Sequence, residues 1–124
     1  MKTIILNAIH GNMMVDEGLA YASHFLSVDK VKQLANEGKL EFQLAPNREG
    51  WADEVCYALG VNIPKRPKDG GRNRFLQFHE GDKCILIEKK SSFEELNFRF
   101  FEVTFFSEKR EKGIIAGLRK RFAG

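Results

Sequence analysis

The chain has 124 residues, 43% of them hydrophobic and 30% charged, with a net charge of +3; that is room for one core and not two. Eleven Phe, one Trp and two Tyr supply enough apolar surface to offset the entropy of folding, which argues against disorder, and no apolar run approaches the roughly 18 residues of a membrane span. Cys56 and Cys84 alone make no disulfide framework, and Ile4-Ile5-Leu6 falls short of a signal-peptide core of about 7–15 residues, so a reducing compartment is expected.

Thr3 to Leu6 reads as a buried first strand running into a polar, glycine-containing turn, Asn7-Ala8-Ile9-His10-Gly11-Asn12. Ala20 to Leu26 is a candidate second strand. Ser27 is placed to cap a helix whose apolar face is Val28, Val31, Leu34 and Ala35, closed by Gly38. Leu40, Phe42 and Leu44 alternate with Glu41 and Gln43, the pattern of a half-buried strand. Asn47 is read as the cap of a second helix, in which Trp51, Val55 and Leu59 lie four apart beside Ala52 and Cys56, with Gly60 ending it.

Pro64 to Gly71 reads as a surface loop. Arg74 to His79 and Lys83 to Lys90 flank Glu80-Gly81-Asp82, which suggests a β-hairpin. Asn97 to Phe106 is the strongest strand, and Lys109 to Phe122 a terminal basic helix that Gly113 and Gly117 weaken by about 1 kcal/mol each. The expected fold is α/β (α+β): a single mixed β-sheet of about five strands with helices mainly on one face, plus a C-terminal basic helix. Residues 1–106 would form the domain and 107–124 a basic extension.

The charge is uneven. Residues 107–124 hold six basic side chains against two acids, and residues 64–74 hold Lys65, Arg66, Lys68, Arg72 and Arg74 against Asp69. Such clusters suit an anionic partner or a solvated surface. No phosphate-binding glycine loop, HExxH or CxxC spacing occurs, so neither a metal nor a cofactor is expected. His10 lies in the turn after the first strand with Asn7 and Asn12, where ligand sites are commonly built; the alternative is an ordinary surface histidine. Arg48, in what reads as the first helical turn, opposes the helix dipole. With free N–H groups it would make an anion site, or it pairs with Glu49 or Asp53. Trp51 fits the core stripe better than a base-stacking role. Arg72 and Arg74 bracket Asn73 and either clamp phosphate or solvate an edge strand.

In this order the features resemble the viral ring nucleases that act as type III anti-CRISPR proteins, a family of small proteins from archaeal viruses and phages. Leu6-Asn7-Ala8-Ile9-His10-Gly11-Asn12-Met13-Met14 is similar to the family's Leu-x-Asn-Ala strand end and Asn-Met step. Asn47-Arg48-Glu49-Gly50-Trp51-Ala52 stands where the family has Gly-His-x-x-Thr-Ala, with Leu59-Gly60 at matching distance. Ile63-Pro64, Asn73-Arg74, Gly81-Asp82 and Phe100-Phe101-Glu102-Val103 follow in the family's order, so the resemblance spans about residues 2–106.

The resemblance implies a homodimer with a pocket across its two-fold axis for a cyclic oligoadenylate, cut without metal by a ribose 2′-OH while the motif histidine protonates the leaving oxygen. Here that histidine is replaced by Arg48, which stays protonated and is a poor acid. The family's Arg-x-x-Glu-Gly-Lys stretch has no counterpart around Glu88 to Glu94. The resulting expectation is a viral anti-defence protein of the host cytoplasm that sequesters a cyclic nucleotide through Asn7, Ala8, His10, Asn12, Asn47, Arg48, Asn73 and Arg74. One alternative is a metal-independent ring nuclease using His10 as catalytic acid. Another is a nucleic-acid-binding viral regulator, with the basic tail and the Pro64 to Gly71 loop tracking a phosphate backbone.

Overall fold

A computed structural model describes residues 2–66, 76–90 and 97–108. The predicted strands and helices within them form largely where the pattern places them: β1 (Thr3–Leu6), β2 (Leu19–Leu26), α1 (Val28–Asn36), β3 (Leu40–Phe42), α2 (Gly50–Leu59), β4 (Lys83–Lys89) and β5 (Phe98–Ser107). The proposed terminal helix, the Pro67–Gly71 part of the loop, and Asn73 and Arg74 lie outside the described residues.

The strands make one mixed sheet in the order β2-β5-β4-β1-β3. β1 runs parallel to both β3 and β4, whereas β5 is antiparallel to β4 and β2. Register sorts the side chains into two layers. Ile5 lies opposite Phe42 on one side and Ile85 on the other, and Phe100 opposite Ile87 and Leu26. These residues share a core with Val31 and Ala35 of α1 and Ala52, Val55 and Leu59 of α2, so both helices cover the same face of the sheet. On the opposite face Leu6, Cys84, Val103 and Phe105 pack with Leu76 and Phe78. Each fully buried Leu, Ile or Phe contributes about 1.5–3 kcal/mol of transfer free energy, and a strand buried on both faces, as β4 is at Cys84 and Ile85, belongs in the sheet interior.

The helix signals work as local chemistry requires in one case and not in the other. The Ser27 side chain accepts a hydrogen bond from the Lys30 N–H at 3.2 Å and caps α1. Asn47, by contrast, is no cap. Pro46 begins a 3-10 turn over Pro46–Arg48, and α2 starts only at Gly50, with Glu49 at its N-cap and no side-chain cap. Proline fixes φ near the helical value, which starts a turn ahead of the α-helix. Gly60 ends α2 at φ +64°, its N–H meeting carbonyls of the last turn, a backbone setting that L side chains resist.

The expected hairpin is also corrected. Its turn exists, with Gly81 at φ +90°, but residues 76–79 form no strand beside β4. Phe78 bridges Met14 instead, because both edges of β4 are taken by β1 and β5. The Phe78 ring stacks on Phe105 at 4.4 Å between centroids, closing the second face of the sheet.

Candidate functional site

The site is built where two parallel strands end. Thr3, Ile4 and Ile5 of β1 pair with Leu40, Glu41 and Phe42 of β3, and the Gln43 N–H extends the ladder to the Ile5 carbonyl at 3.0 Å. Beyond that point the two chains part. After β1, Ile9, Met13 and Met14 pack on the helix-free face; after β3, Trp51, Ala52 and Val55 pack on the helical face. A crevice opens outside the carboxyl ends of adjacent strands whose connections leave on opposite faces, the common ligand position of open α/β sheets.

Its volume is about 200 Å³. Leu6, Met13 and Leu76 give it an apolar floor; Asn7, Ala8 and His10 line it from β1, and residues 43–46 from β3. Asn7 is half-buried, and its Oδ1 accepts a hydrogen bond from the Ala45 N–H at 2.9 Å, tying the two walls together. His10 is exposed at the rim, just before a 3-10 turn at Gly11–Met13. Among the described residues its ring has no hydrogen-bond or ion-pair partner.

The other expected site residues are not gathered here. Asn12 is exposed in the 3-10 turn and Asn47 in the turn after β3; neither lines the crevice. Arg48 is exposed as well. Its guanidinium lies 5.2 Å from the centre of the Trp51 ring, and Trp51 in turn meets Phe98 edge-on at 5.6 Å. The later start of α2 carries Arg48 away from the helix N–H groups and onto the indole, a cation–π contact. Sequence reasoning missed residues 43–46 as a wall of the crevice. Gln43 was readable as the polar phase of β3, but the parallel pairing that brings it beside Asn7 was not.

Among the described residues no group of three His, Cys, Asp or Glu side chains is placed to hold a metal ion, and no helix is long and apolar enough to cross a membrane. A second polar cluster lies at the far end of β5. His79 Nδ1 is 3.2 Å from Asp16 Oδ1, and Asp16 Oδ2 accepts the Glu80 N–H at 2.9 Å. That backbone hydrogen bond first, and the His79 ring second, hold the Asp16 carboxyl below its ordinary value. Burial pushes the Cys84 thiol up to about 12, leaving it a small apolar core residue.

These features define a small mixed α/β fold with a crevice at the divergence of β1 and β3. Among solved structures, B116 of Sulfolobus turreted icosahedral virus (STIV) is similar to it, with a TM-score of 0.55 over 84% of this chain and 99% of that one. The sequence identity is 17%, so the likeness is one of fold. No family model and no curated protein matches the chain.

Proposed function

We propose that the protein binds a cyclic nucleotide messenger of a host defence system in this crevice and withholds it without turnover, as a homodimeric viral protein acting in the host cytoplasm. The observation that carries the reading is the convergence of Asn7, Ala8 and His10 with residues 43–46 at a strand-end switch point. Amide, imidazole and backbone groups above an apolar floor suit a nucleoside, whose base wants one dry face and several hydrogen bonds. The volume of about 200 Å³ lies below the roughly 300–1,000 Å³ of a typical small-molecule pocket. A space of that size suits one nucleoside of a ring, and in the homodimer a second copy would take another. The fold likeness to B116 of STIV, a virus protein, agrees with a viral origin.

Holding is favoured over cutting. The His10 ring has no carboxylate among the described residues to orient it, and an unoriented imidazole at a rim is a weak general acid. Arg48 sits on Trp51 outside the crevice. The test is a thermal-shift screen of cyclic oligoadenylates and cyclic dinucleotides, since a ligand that binds the folded state raises the melting temperature. It is followed by denaturation and chromatography of what the protein held. Intact ring supports sequestration. Linear product supports the ring-nuclease alternative, with His10→Ala abolishing it. No shift with any member of the panel sinks the proposal, and duplex DNA binding with steep salt dependence replaces it with the regulator reading.

A further inference from the structure

Across Gln43 and Leu44 from the crevice lies a second cavity of about 60 Å³, and these two residues line both. Phe42 and Ala52 form its apolar side, while Glu49, Lys65 and Arg66 supply its charges. The segment carrying the two cations is pinned to β3. The Phe42 N–H donates to the Pro64 carbonyl at 2.8 Å, and the Arg66 N–H donates to the Phe42 carbonyl at 2.7 Å. This short parallel bridge between Phe42 and Lys65 sets Arg66 beside Gln43.

Arg66 is half-buried, and its Nη1 donates to Gln43 Oε1 at 3.1 Å. That acceptor is neutral. Among the described residues no carboxylate forms an ion pair with Arg66. A guanidinium has five N–H donors in a planar fork, and a half-buried cation whose partner among the described residues is a neutral amide gains from an anion that reaches it. Lys65 is also available. Its Nζ is 3.8 Å from Asp53 Oδ1, with both side chains more than half exposed, an ion pair of little worth that a stronger anion displaces. Glu49 opposes an anion in the cavity, though it has a contact of its own.

We infer that this cavity is an anion subsite of the crevice, in which Arg66, assisted by Lys65, holds a phosphate of a nucleotide whose sugar and base occupy the larger cavity across Gln43. The inference rests on the crevice being a nucleotide site. At about 60 Å³ against about 200 Å³ for the crevice, the smaller space suits a phosphate and the larger one a sugar and base. Gln43 is then the hinge of recognition, since its side chain positions the guanidinium while its residue walls the nucleoside side.

The full chain, labelled with ¹⁵N, is titrated separately with adenosine, adenosine 5′-monophosphate and inorganic phosphate. Adenosine is expected to move the amides of Asn7, Ala8 and His10 and leave the Arg66 Nε–H in place; the monophosphate is expected to move both sets. Arg66→Gln should lower affinity for the monophosphate at least tenfold without changing that for adenosine, and Glu49→Gln should raise it two- to threefold by removing a like charge. Arg66→Lys, which keeps the charge and loses the fork, should fall between and serves if Arg66→Gln does not fold. If the monophosphate moves the crevice amides but not Arg66 Nε–H, or both Arg66 variants bind it as the parent does, the inference is overturned and the crevice reading stands. If Arg66 responds to inorganic phosphate as strongly as to the monophosphate, the cavity is a general anion trap and the inference is overturned. If neither nucleoside nor nucleotide moves the crevice amides at millimolar concentration, both fall together.

Discussion

Asn7 Oδ1 accepts the Ala45 N–H at 2.9 Å across 38 residues of sequence. This one contact fastens the end of β1 to the segment leaving β3, at the point where the two connections turn to opposite faces of the sheet. It satisfies a backbone donor that the ladder no longer serves, and it holds the crevice open at a fixed width.

Asn7→Ala removes that acceptor and leaves a part-buried N–H without its partner. The expected cost is about 1–3 kcal/mol, read as a lower urea midpoint with an unchanged m-value. Asn7→Asp keeps the acceptor and should recover most of the loss. Equal stability of the parent and Asn7→Ala would show that the tie contributes nothing.

Arg48→Ala is expected to change crevice binding less than about twofold, because the guanidinium rests on the Trp51 ring and lines neither cavity. The stability loss should stay near 0.5–1 kcal/mol, the worth of an exposed cation–π contact, with a change in Trp51 fluorescence. A tenfold loss of ligand affinity would return Arg48 to the binding site.

Phe78→Ala removes a ring that is 6% exposed and stacked on Phe105. The expected destabilisation is about 3–5 kcal/mol, measurable by denaturant titration. Hydrogen exchange should quicken first at Val15, whose N–H donates to the Phe78 carbonyl. Uniform loss of protection, with no lead at Val15, would argue against local detachment of this strap.

The Asp16 carboxyl should titrate below its ordinary 3.8, because the Glu80 N–H and the His79 ring both favour its charged form. A carboxyl depressed in the folded state stabilises that state above about pH 3.8, and this contribution is lost as pH falls through the lower folded value. Carboxyl-detected NMR of the parent and of His79→Ala should give a higher value in the variant. Identical curves would remove His79 from the interaction.

Cys84 is fully buried, and its thiol is raised to about 12, so roughly one molecule in ten thousand carries the thiolate at pH 8. A thiol reagent at that pH should label Cys56 before Cys84, and Cys84 only at the rate of unfolding. Prompt reaction of both would show that the sheet opens locally around β4.

Much of the local structure was legible. Period-two alternation over Leu40 to Leu44 and the aromatic run from Phe98 to Phe106 mark strands because a pleated chain shows alternate residues to opposite faces. The Ser27 cap and the terminal Gly60 mark helix ends because both act within a few residues. Asn47 failed as a cap for an equally local reason: Pro46 at the head of a 3-10 turn displaced the start of the α-helix to Gly50.

Which strands are neighbours was decided only by the packed molecule. The pattern of Lys83 to Lys89 says that both faces are covered, yet it names no partner, so residues 74–79 looked as suitable beside it as β1 and β5. Alternation specifies faces; the competition among edges for the same backbone hydrogen bonds specifies neighbours. The crevice follows the same logic. Asn7, Ala8 and His10 were readable as a polar strand-end turn from the first residues of the chain. That they face Gln43 to Pro46 came from β1 and β3 pairing in parallel, a long-range choice set by burial of Ile5 between Phe42 and Ile85. Arg66 stands behind Gln43 through the bridge from Phe42 to Lys65, whereas the place of Arg48 over Trp51 follows the local turn that Pro46 begins.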